Sequence, residues 1–558
     1  MEPTVKVVLR QRDRNLVVEA EPDILADLRN RLAVAHPSAR QIMLRQPWMQ
    51  GKWDGKIHFL EMQEDGHAAE AGIGLHGRVK TMLKKYGKCQ DLVTNESGLV
   101  LTENLEGVKL SQDQLDASQA LIRCQTGCIQ LDVSSGKSYI GLNLMASALR
   151  QHPDWKFVFL VPKKALLYQM FKDAQTVLPN YSIGILGDGH RQLHSITIAT
   201  VATAVATTNI KDRKQIADWM EDVDGILVDE AHHSSAATWK AIYSQSRAKI
   251  LWGVSAKFTF GAKKRDLERS IESCFGTPKY VGAAQDFRVP VRIKVYHFED
   301  WRGRVSAALP SKLVDGLPVM YLQKGKGWMS GCYHGPDEDG KIPDICRDKH
   351  GKVDKNLYGI YGVDEKGEEV KVDPDDTVYQ NSHDMGIMEF RERDDWAVRI
   401  ALKAAEQKQI FLITANRSRH TRKLERACLK AGLKVARLDG STTTSEFARI
   451  TEEWKAKRID GVVAQQGVVS EGLSIPSLHH LIKLDGQDGE MVLHQQRGRP
   501  ARVEAGKTCG YLHLPYDYQH PTLHRKSNSA IRYFASLQMD IAHLRYRTYQ
   551  EFVGAIGT

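Results

Sequence analysis

Leu131-Asp132-Val133-Ser134-Ser135-Gly136-Lys137-Ser138 is the stretch on which the reading of this chain turns. It follows an apolar run, GCIQLDV (127–133), and precedes YIGLNLMASALR, whose spacing is helical. A strand, a tight turn, Gly-Lys-Ser and a helix start aim backbone N–H groups and a helix dipole at phosphate oxygens. In that geometry Lys137 neutralises β- and γ-phosphate charge and Ser138 offers a hydroxyl to Mg²⁺. The usual GxxxxGK[ST] pattern has glycine where Leu131 stands. Gly-Lys-Ser alone also fits an ordinary strand-to-helix turn.

A second stretch weighs against that plain alternative. GILVDE (225–230) is a buried-strand pattern that ends in Val228-Asp229-Glu230-Ala231-His232. Two carboxylates just past the carboxyl edge of a parallel sheet stand where α/β proteins bind ligands. Asp229 can hold Mg²⁺ through water, and Glu230 can orient and deprotonate an attacking water.

Outward from these loops, short apolar runs alternate with amphipathic helical stretches, the pattern of parallel sheets wrapped by helices. One series comprises 127–133, 156–161, 195–200, 225–230 and 249–256; another comprises 291–298, 409–414, 433–439, 460–466, 479–485 and 509–514. The expected architecture is α/β: two tandem RecA-like parallel-sheet domains with a small α+β N-terminal domain and C-terminal helices. Expected boundaries are 1–104, 105–289, 290–519 with a loop-and-hairpin insertion at about 302–384, and 520–558.

The residues then resemble superfamily 2 helicases of the DEAH type. Leu110 to Ala117 is similar to the adenine-reading segment, with Gln114 in the glutamine position. Ser134 stands where the family's phosphate loop has glycine, and with Ser135, Gly136 and Lys137 it completes the cofactor loop. Pro162 to Gln169 resembles motif Ia, and Thr200-Val201-Ala202-Thr203 the next backbone-gripping motif. Val254-Ser255-Ala256 resembles motif III, which with His232 and Gln495 would couple the ATP site to the strand-binding face. Gly467 to Ser474, including Gly472, resembles motif V. Gln495 to Arg502 resembles motif VI, which implies Arg499 and Arg502 as arginine fingers. Departures are Gln496 for the motif's first arginine, Ser474 for a frequent aspartate and Lys257 for the motif III threonine.

Within the superfamily, Gly51-Lys52-Trp53-Asp54-Gly55-Lys56-Ile57 and the Gly-Leu-Ser of motif V are similar to bacteriophage recombination and repair helicases. That resemblance implies ATP and Mg²⁺ as cofactors, branched or forked DNA and single strands as partners, 3′ to 5′ translocation, and recombination proteins as further partners. A DEAH-type RNA helicase and a non-hydrolysing ATP-binding clamp stay open as alternatives. A restriction-type translocase subunit lacks a nuclease signature here.

Composition agrees without deciding. The chain has 558 residues, 42% hydrophobic and 26% charged, with a mean hydropathy of −0.40. That excludes disordered, collagenous and membrane-embedded classes. Lys and Arg number 78 against 68 Asp and Glu, giving +10, which suits a polyanion. Eight irregularly spaced cysteines imply reduced thiols, and MEPTVKVVLRQRDR has no apolar leader region, so a cytoplasmic protein is expected.

In the N-terminal part, Lys52, Trp53, Lys56, Lys84 and Lys85 are candidate nucleic-acid contacts, as cations interleaved with aromatics suit phosphates and bases. From the residues alone a small-domain core and a solvated helix face are the stronger reading, and the resemblance shifts the balance to nucleic-acid contacts. Cys332, His334, Cys346 and His350 are a candidate Zn²⁺ set against an ordinary loop. Cys124 and Cys128 read as buried apolar residues.

Overall fold

A computed structural model describes residues 7–556, apart from 40–41, 44–50, 103–104, 133–134, 206–210, 236–238, 240–241, 244–245, 259–263, 283–288, 303–316, 324–326, 334–356, 364–368, 373–382, 470–474 and 476. The chain divides into two compact units that meet in sequence at Arg288 and Val289.

The first unit begins with β1 (Val7–Arg12), β2 (Asn15–Glu19), α1 (Pro22–Leu32), β3 (Glu61–Met62), β4 (Ala68–Gly72), α2 (His76–Leu83) and β5 (Cys89–Asp91). These strands form a sheet of order β3-β4-β2-β1-β5. Leu9, Leu16 and Val18 pack on Leu25, Leu28 and Leu32 of α1, a core of its own.

Next come α3 (Gln112–Ile122), β6 (Thr126–Leu131), α4 (Lys137–Gln151), β7 (Phe157–Val161), α5 (Lys164–Val177), β8 (Ile183–Gly187), β9 (His190–Gln192), β10 (Ile196–Thr200), α6 (Val201–Val205), α7 (Lys211–Glu221), β11 (Gly225–Val228), β12 (Ile250–Ser255), α8 (Arg265–Phe275) and β13 (Tyr280–Gly282). The sheet order is β9-β8-β10-β7-β11-β12-β6-β13, parallel throughout except for edge strand β9. Both faces are covered: Phe157, Phe159 and Val161 enter one core, Val158 and Leu160 the other. Such strands must be apolar on both faces, which is why continuous apolar runs marked them.

The N-terminal sheet is seated on this lobe through α8. A Cβ on Gly74 would lie 2.1 Å from the Glu272 carbonyl oxygen, so only glycine lets the backbones approach this closely. Arg78 Nε pairs with Glu272 Oε1 at 2.7 Å beside it.

The second unit contains β14 (Val291–Phe298), then the insertion strands β15 (Leu317–Gln323), β16 (Gly327–Tyr333), β17 (Leu357–Val363) and β18 (Glu369–Val372). Those four pair antiparallel in the order β16-β15-β17-β18. The core continues with α9 (Arg391–Glu406), β19 (Ile410–Ala415), α10 (Ser418–Lys430), β20 (Val435–Leu438), α11 (Thr444–Lys455), β21 (Gly461–Gln465), α12 (Gln466–Val469), β22 (Leu478–Lys483), α13 (Glu490–Gly498), β23 (Gly510–Tyr516), α14 (Pro521–Ser536), β24 (Asp540–Tyr546) and α15 (Tyr549–Ile556). Its seven strands run β20-β21-β19-β22-β23-β14-β24, all parallel. Both lobes thus have the RecA-like parallel core expected from the sequence.

The tail is not wholly helical. Between α14 and α15, Asp540–Tyr546 adds a strand to the edge of the second sheet, pairing with β14 from Arg292 to Phe298. An edge strand with one solvated face alternates polar and apolar residues, and DIAHLRY reads as easily as a helix segment.

Among the described residues no helix is long and apolar enough to cross a membrane, and none of their His, Cys, Asp and Glu side chains cluster as a metal site. For the Zn²⁺ set, His334, Cys346 and His350 lie outside the described residues, as does the side chain of Cys332.

Candidate functional site

In the first unit the phosphate loop runs from β6 into α4. Gly136 adopts φ +70°, the left-handed conformation that turns the chain into the helix. The cap of α3 braces it. Ser111 and Gln114 form a capping box, and Gln114 Nε2 donates to the Ser135 carbonyl at 2.8 Å. The Gln114 amide is thereby spent on its own cap and on the loop, and reading an adenine requires it to re-pair. Lys137 is buried, and its Nζ donates to the carbonyls of Leu131 at 3.2 Å and Asp132 at 3.0 Å. The ammonium is held at the loop mouth by carbonyls that phosphate oxygens can replace. Ser135 is buried, with a hydroxyl lacking a hydrogen-bond partner. Ser138 lies in the first turn of α4; Ser134 lies outside the described residues.

Beyond β11, Asp229 is buried and its Oδ1 accepts from the Glu230 N–H at 2.9 Å. Glu230 sits at φ +48°, a left-handed conformation unusual for a side chain of its size, which sets its carboxylate beside His232. Its Oε2 lies 3.2 Å from His232 Nδ1. Burial alone would raise the Glu230 pKa; the His232 contact, with the charges of Lys137 and His233, outweighs it and holds the carboxyl at about 2. His232 Nδ1 lies 3.0 Å from Ser255 Oγ at the end of β12, with buried Ala256 next. Inside the first lobe the structure brings Glu230, His232 and Ser255 together, with His232 Nδ1 between the other two, and the charge of Lys137 acts on Glu230.

The candidate strand grips of this unit lie at carboxyl ends of its strands. Pro162, between β7 and α5, and Gln169, inside α5, are half-buried; Thr200 is buried at the end of β10, and its hydroxyl meets that of Thr203 at 2.9 Å. In the N-terminal sheet region Lys52, Lys56, Lys84 and Lys85 are exposed. Trp53 is half-buried: its Nε1 donates to the Lys56 carbonyl at 3.0 Å and its ring meets His36 edge-on, so it shapes its own turn. Cys128 is buried and burial pushes its thiol up; Cys124 is half-buried.

In the second unit Gly467 is exposed on α12, while Gly472 lies outside the described residues. Arg499 is buried and donates to the Val469 carbonyl. Burial lowers the Arg502 guanidinium to about 10. Gln495 is buried on α13.

Gln496, the motif VI departure, belongs to a network the sequence did not reveal. Its Nε2 donates to Gln466 Oε1 at 3.0 Å and to Asp485 Oδ2 at 2.7 Å. Asp485 also accepts from Thr414 at 2.8 Å and pairs with Lys483. Burial would raise the Asp485 pKa, and Lys483 holds it down instead. With its charge already balanced by Lys483, Asp485 needs a neutral donor, and a second cation would be in excess at a site with no solvent. The glutamine therefore ties motif VI to Gln466, the residue just before motif V, and to Asp485 in place of an arginine.

Residues 107–260 match the family model of the type III restriction enzyme res subunit, and residues 393–504 match the conserved C-terminal domain of helicases. No curated protein matches the sequence. Among solved structures, bacteriophage T4 UvsW is similar at 17% identity over 97% of this chain and 99% of that one, with a TM-score of 0.41. S. cerevisiae Dbp5 bound to RNA and ADP BeF3 is similar at 12% identity over 80% of this chain and 93% of its own, with a TM-score of 0.50. The second likeness supports the two-lobed fold. One matched region lies on each parallel-sheet core, in the order in which the motifs were read, and the two domains together indicate a superfamily 2 helicase, an enzyme that hydrolyses ATP.

Proposed function

We propose that the chain is a DNA motor: an ATP-dependent helicase or translocase that remodels branched DNA such as forks, D-loops and four-way junctions, moving 3′ to 5′. The observation that carries the motor is the cluster of Glu230, His232 and Ser255, with the charge of Lys137 acting on Glu230. Hydrolysis of a γ-phosphate needs positioned water and neutralised charge more than covalent chemistry. Glu230, ionised at any physiological pH, orients the water; Lys137 leaves its loop carbonyls for phosphate oxygens.

Ser138 and Asp229 fit a Mg²⁺, being a helix-start hydroxyl and a buried carboxylate beside the same loop. The ion, when bound, screens the β- and γ-phosphate oxygens. Arg499 and Arg502 supply further positive charge to the γ-phosphate. His232 and Ser255, with Ala256 and Gln495, pass the nucleotide state to the strand grips at Pro162, Gln169, Thr200, Thr203 and Gly467. Those grips hold the strand's backbone and carry no sequence information. Lys52, Trp53, Lys56, Lys84 and Lys85 engage the duplex or junction. The preference for branched DNA rests on the resemblance of residues 51–57 and motif V.

Steady-state ATPase with a forked DNA and its RNA equivalent, with Lys137→Ala as control, tests the reading. Stimulation by DNA alone, lost in the variant, is expected. Equal stimulation by RNA would make it an RNA helicase, and no turnover with either would make it a binding clamp. Unwinding of duplexes tailed at one end or the other then reads polarity.

A further inference from the structure

At the amino ends of the first lobe's strands, on the edge opposite Asp229, lies a cavity of about 590 Å³. It is walled by β1 and β2's turn on one side and by the starts of β6, β7 and β12 on the other. Its chemistry is cationic and aromatic. Arg247 and Lys249 are exposed at its rim, and Asp13 is the acidic residue among those lining it. The His152 and Trp155 rings stack at 4.2 Å with 10° between planes, and Lys249 Nζ lies 5.2 Å from the Trp155 ring centre.

Arg14 is the observation that gives this cavity a ligand. Arg14 is half-buried, and its guanidinium donates from Nη1 to Thr126 Oγ1 at 3.2 Å and from Nη2 to the Ala248 carbonyl. Nε has no hydrogen-bond partner, and among the described residues no carboxylate pairs with the group. A half-buried cation with an enclosed, unpartnered N–H and no counter-charge favours an anion that reaches it. The volume suits a nucleotide-sized ligand. Stacked rings beside cations are how sequence-independent sites hold a base and its phosphate together.

We propose that this cavity is a second nucleic-acid contact, holding one nucleotide of a single strand with its phosphate toward Arg14, Arg247 and Lys249 and its base toward the His152–Trp155 pair. It rests on the reading of the chain as a nucleic-acid motor. Because it lies on the sheet edge away from the first unit's grips at Pro162, Thr200 and Thr203, it holds a different part of the strand from the one they move.

The test is photocrosslinking of a 5-iodouracil-substituted single-stranded oligonucleotide to the full chain, with adducts mapped by mass spectrometry. The expected adduct lies in tryptic peptide 151–156, which holds both rings. Arg247→Ala with Lys249→Ala should cut it at least fivefold and lower the salt dependence of binding by roughly 1.4 in log–log slope, about 0.7 per lost single-strand contact. Basal ATPase should be unchanged, since neither residue belongs to the ATP site. Excess AMP should leave the adduct in place.

An adduct absent from peptide 151–156, or insensitive to the double substitution, would overturn the proposal even where DNA stimulates ATPase. Displacement by AMP would assign the cavity to free nucleotides and overturn it equally. With neither binding nor stimulation by nucleic acid, both this inference and the motor reading fall.

Discussion

Replacing Gly136 by alanine should weaken ATP binding by roughly 10- to 400-fold. The magnitude comes from two local costs. Gly136 holds φ +70°, where a Cβ costs about 1–2 kcal/mol. That Cβ would also stand 2.4 Å from Gln114 Nε2, displacing the amide and breaking its 2.8 Å bond to the Ser135 carbonyl, a further loss of about 0.5–1.5 kcal/mol. Together about 1.5–3.5 kcal/mol disfavours the loop conformation that presents its N–H groups to phosphate. The apparent dissociation constant rises as that conformation's population falls. Titration with a fluorescent ATP analogue measures it. Gln114→Ala in the Gly136→Ala background removes the clash but not the φ cost, so a double-mutant cycle should show coupling of about 1 kcal/mol. Unchanged nucleotide affinity in Gly136→Ala, or strictly additive effects, would refute the argument that the turn and its glutamine brace act together.

His232→Ala should move the acid limb of the ATPase pH profile upward. Without His232 the desolvated Glu230 carboxyl climbs from about 2 towards and beyond 4.5, whereas in the unaltered protein kcat should show no titration of this group above about pH 3. For stability the sign follows from a depressed native pKa: Glu230 contributes about 3 kcal/mol above pH 4.5 and loses it as pH falls towards 2, so unfolding followed between pH 5 and pH 2 should weaken less in the variant. Gly74→Ala should lower the thermal midpoint of the first unit, since its Cβ meets the Glu272 carbonyl and the Gly276 amide; a cost of about 1–3 kcal/mol is expected, and an unshifted melting curve would count against close docking of the N-terminal sheet. Arg393→Met should destabilise the second unit by about 3–5 kcal/mol, because the buried Asp517 carboxylate, paired at 2.8 Å, loses its counter-charge and keeps only the Gln519 amide as a side-chain donor; adding Asp517→Leu should restore much of that loss in denaturant titration.

What could be read in advance follows from where the information lies along the chain. Strands buried on both faces announce themselves in five residues, as FVFLV (157–161) does, and loops that bind phosphate carry their chemistry within eight. The His232 and Ser255 pair was legible because each belongs to a motif tied to a strand end. Asp540–Tyr546 was not, because half its residues face solvent and its partner strand lies some 248 positions earlier. The same separation hides Arg14, whose acceptor Ala248 is 234 residues away. No window of sequence holds both sides of that cavity. Gln496 is the sharper case. Read alone it is a missing arginine and argues for a weakened motor. Read with Asp485 eleven positions back and already neutralised by Lys483, it is the donor that a balanced buried carboxylate can accept. A departure from a motif is thus evidence of lost function only after the charge it would have met has been found. Here Lys483 already balances that charge, and motif VI stays joined by a neutral hydrogen bond to Gln466, the residue just before motif V.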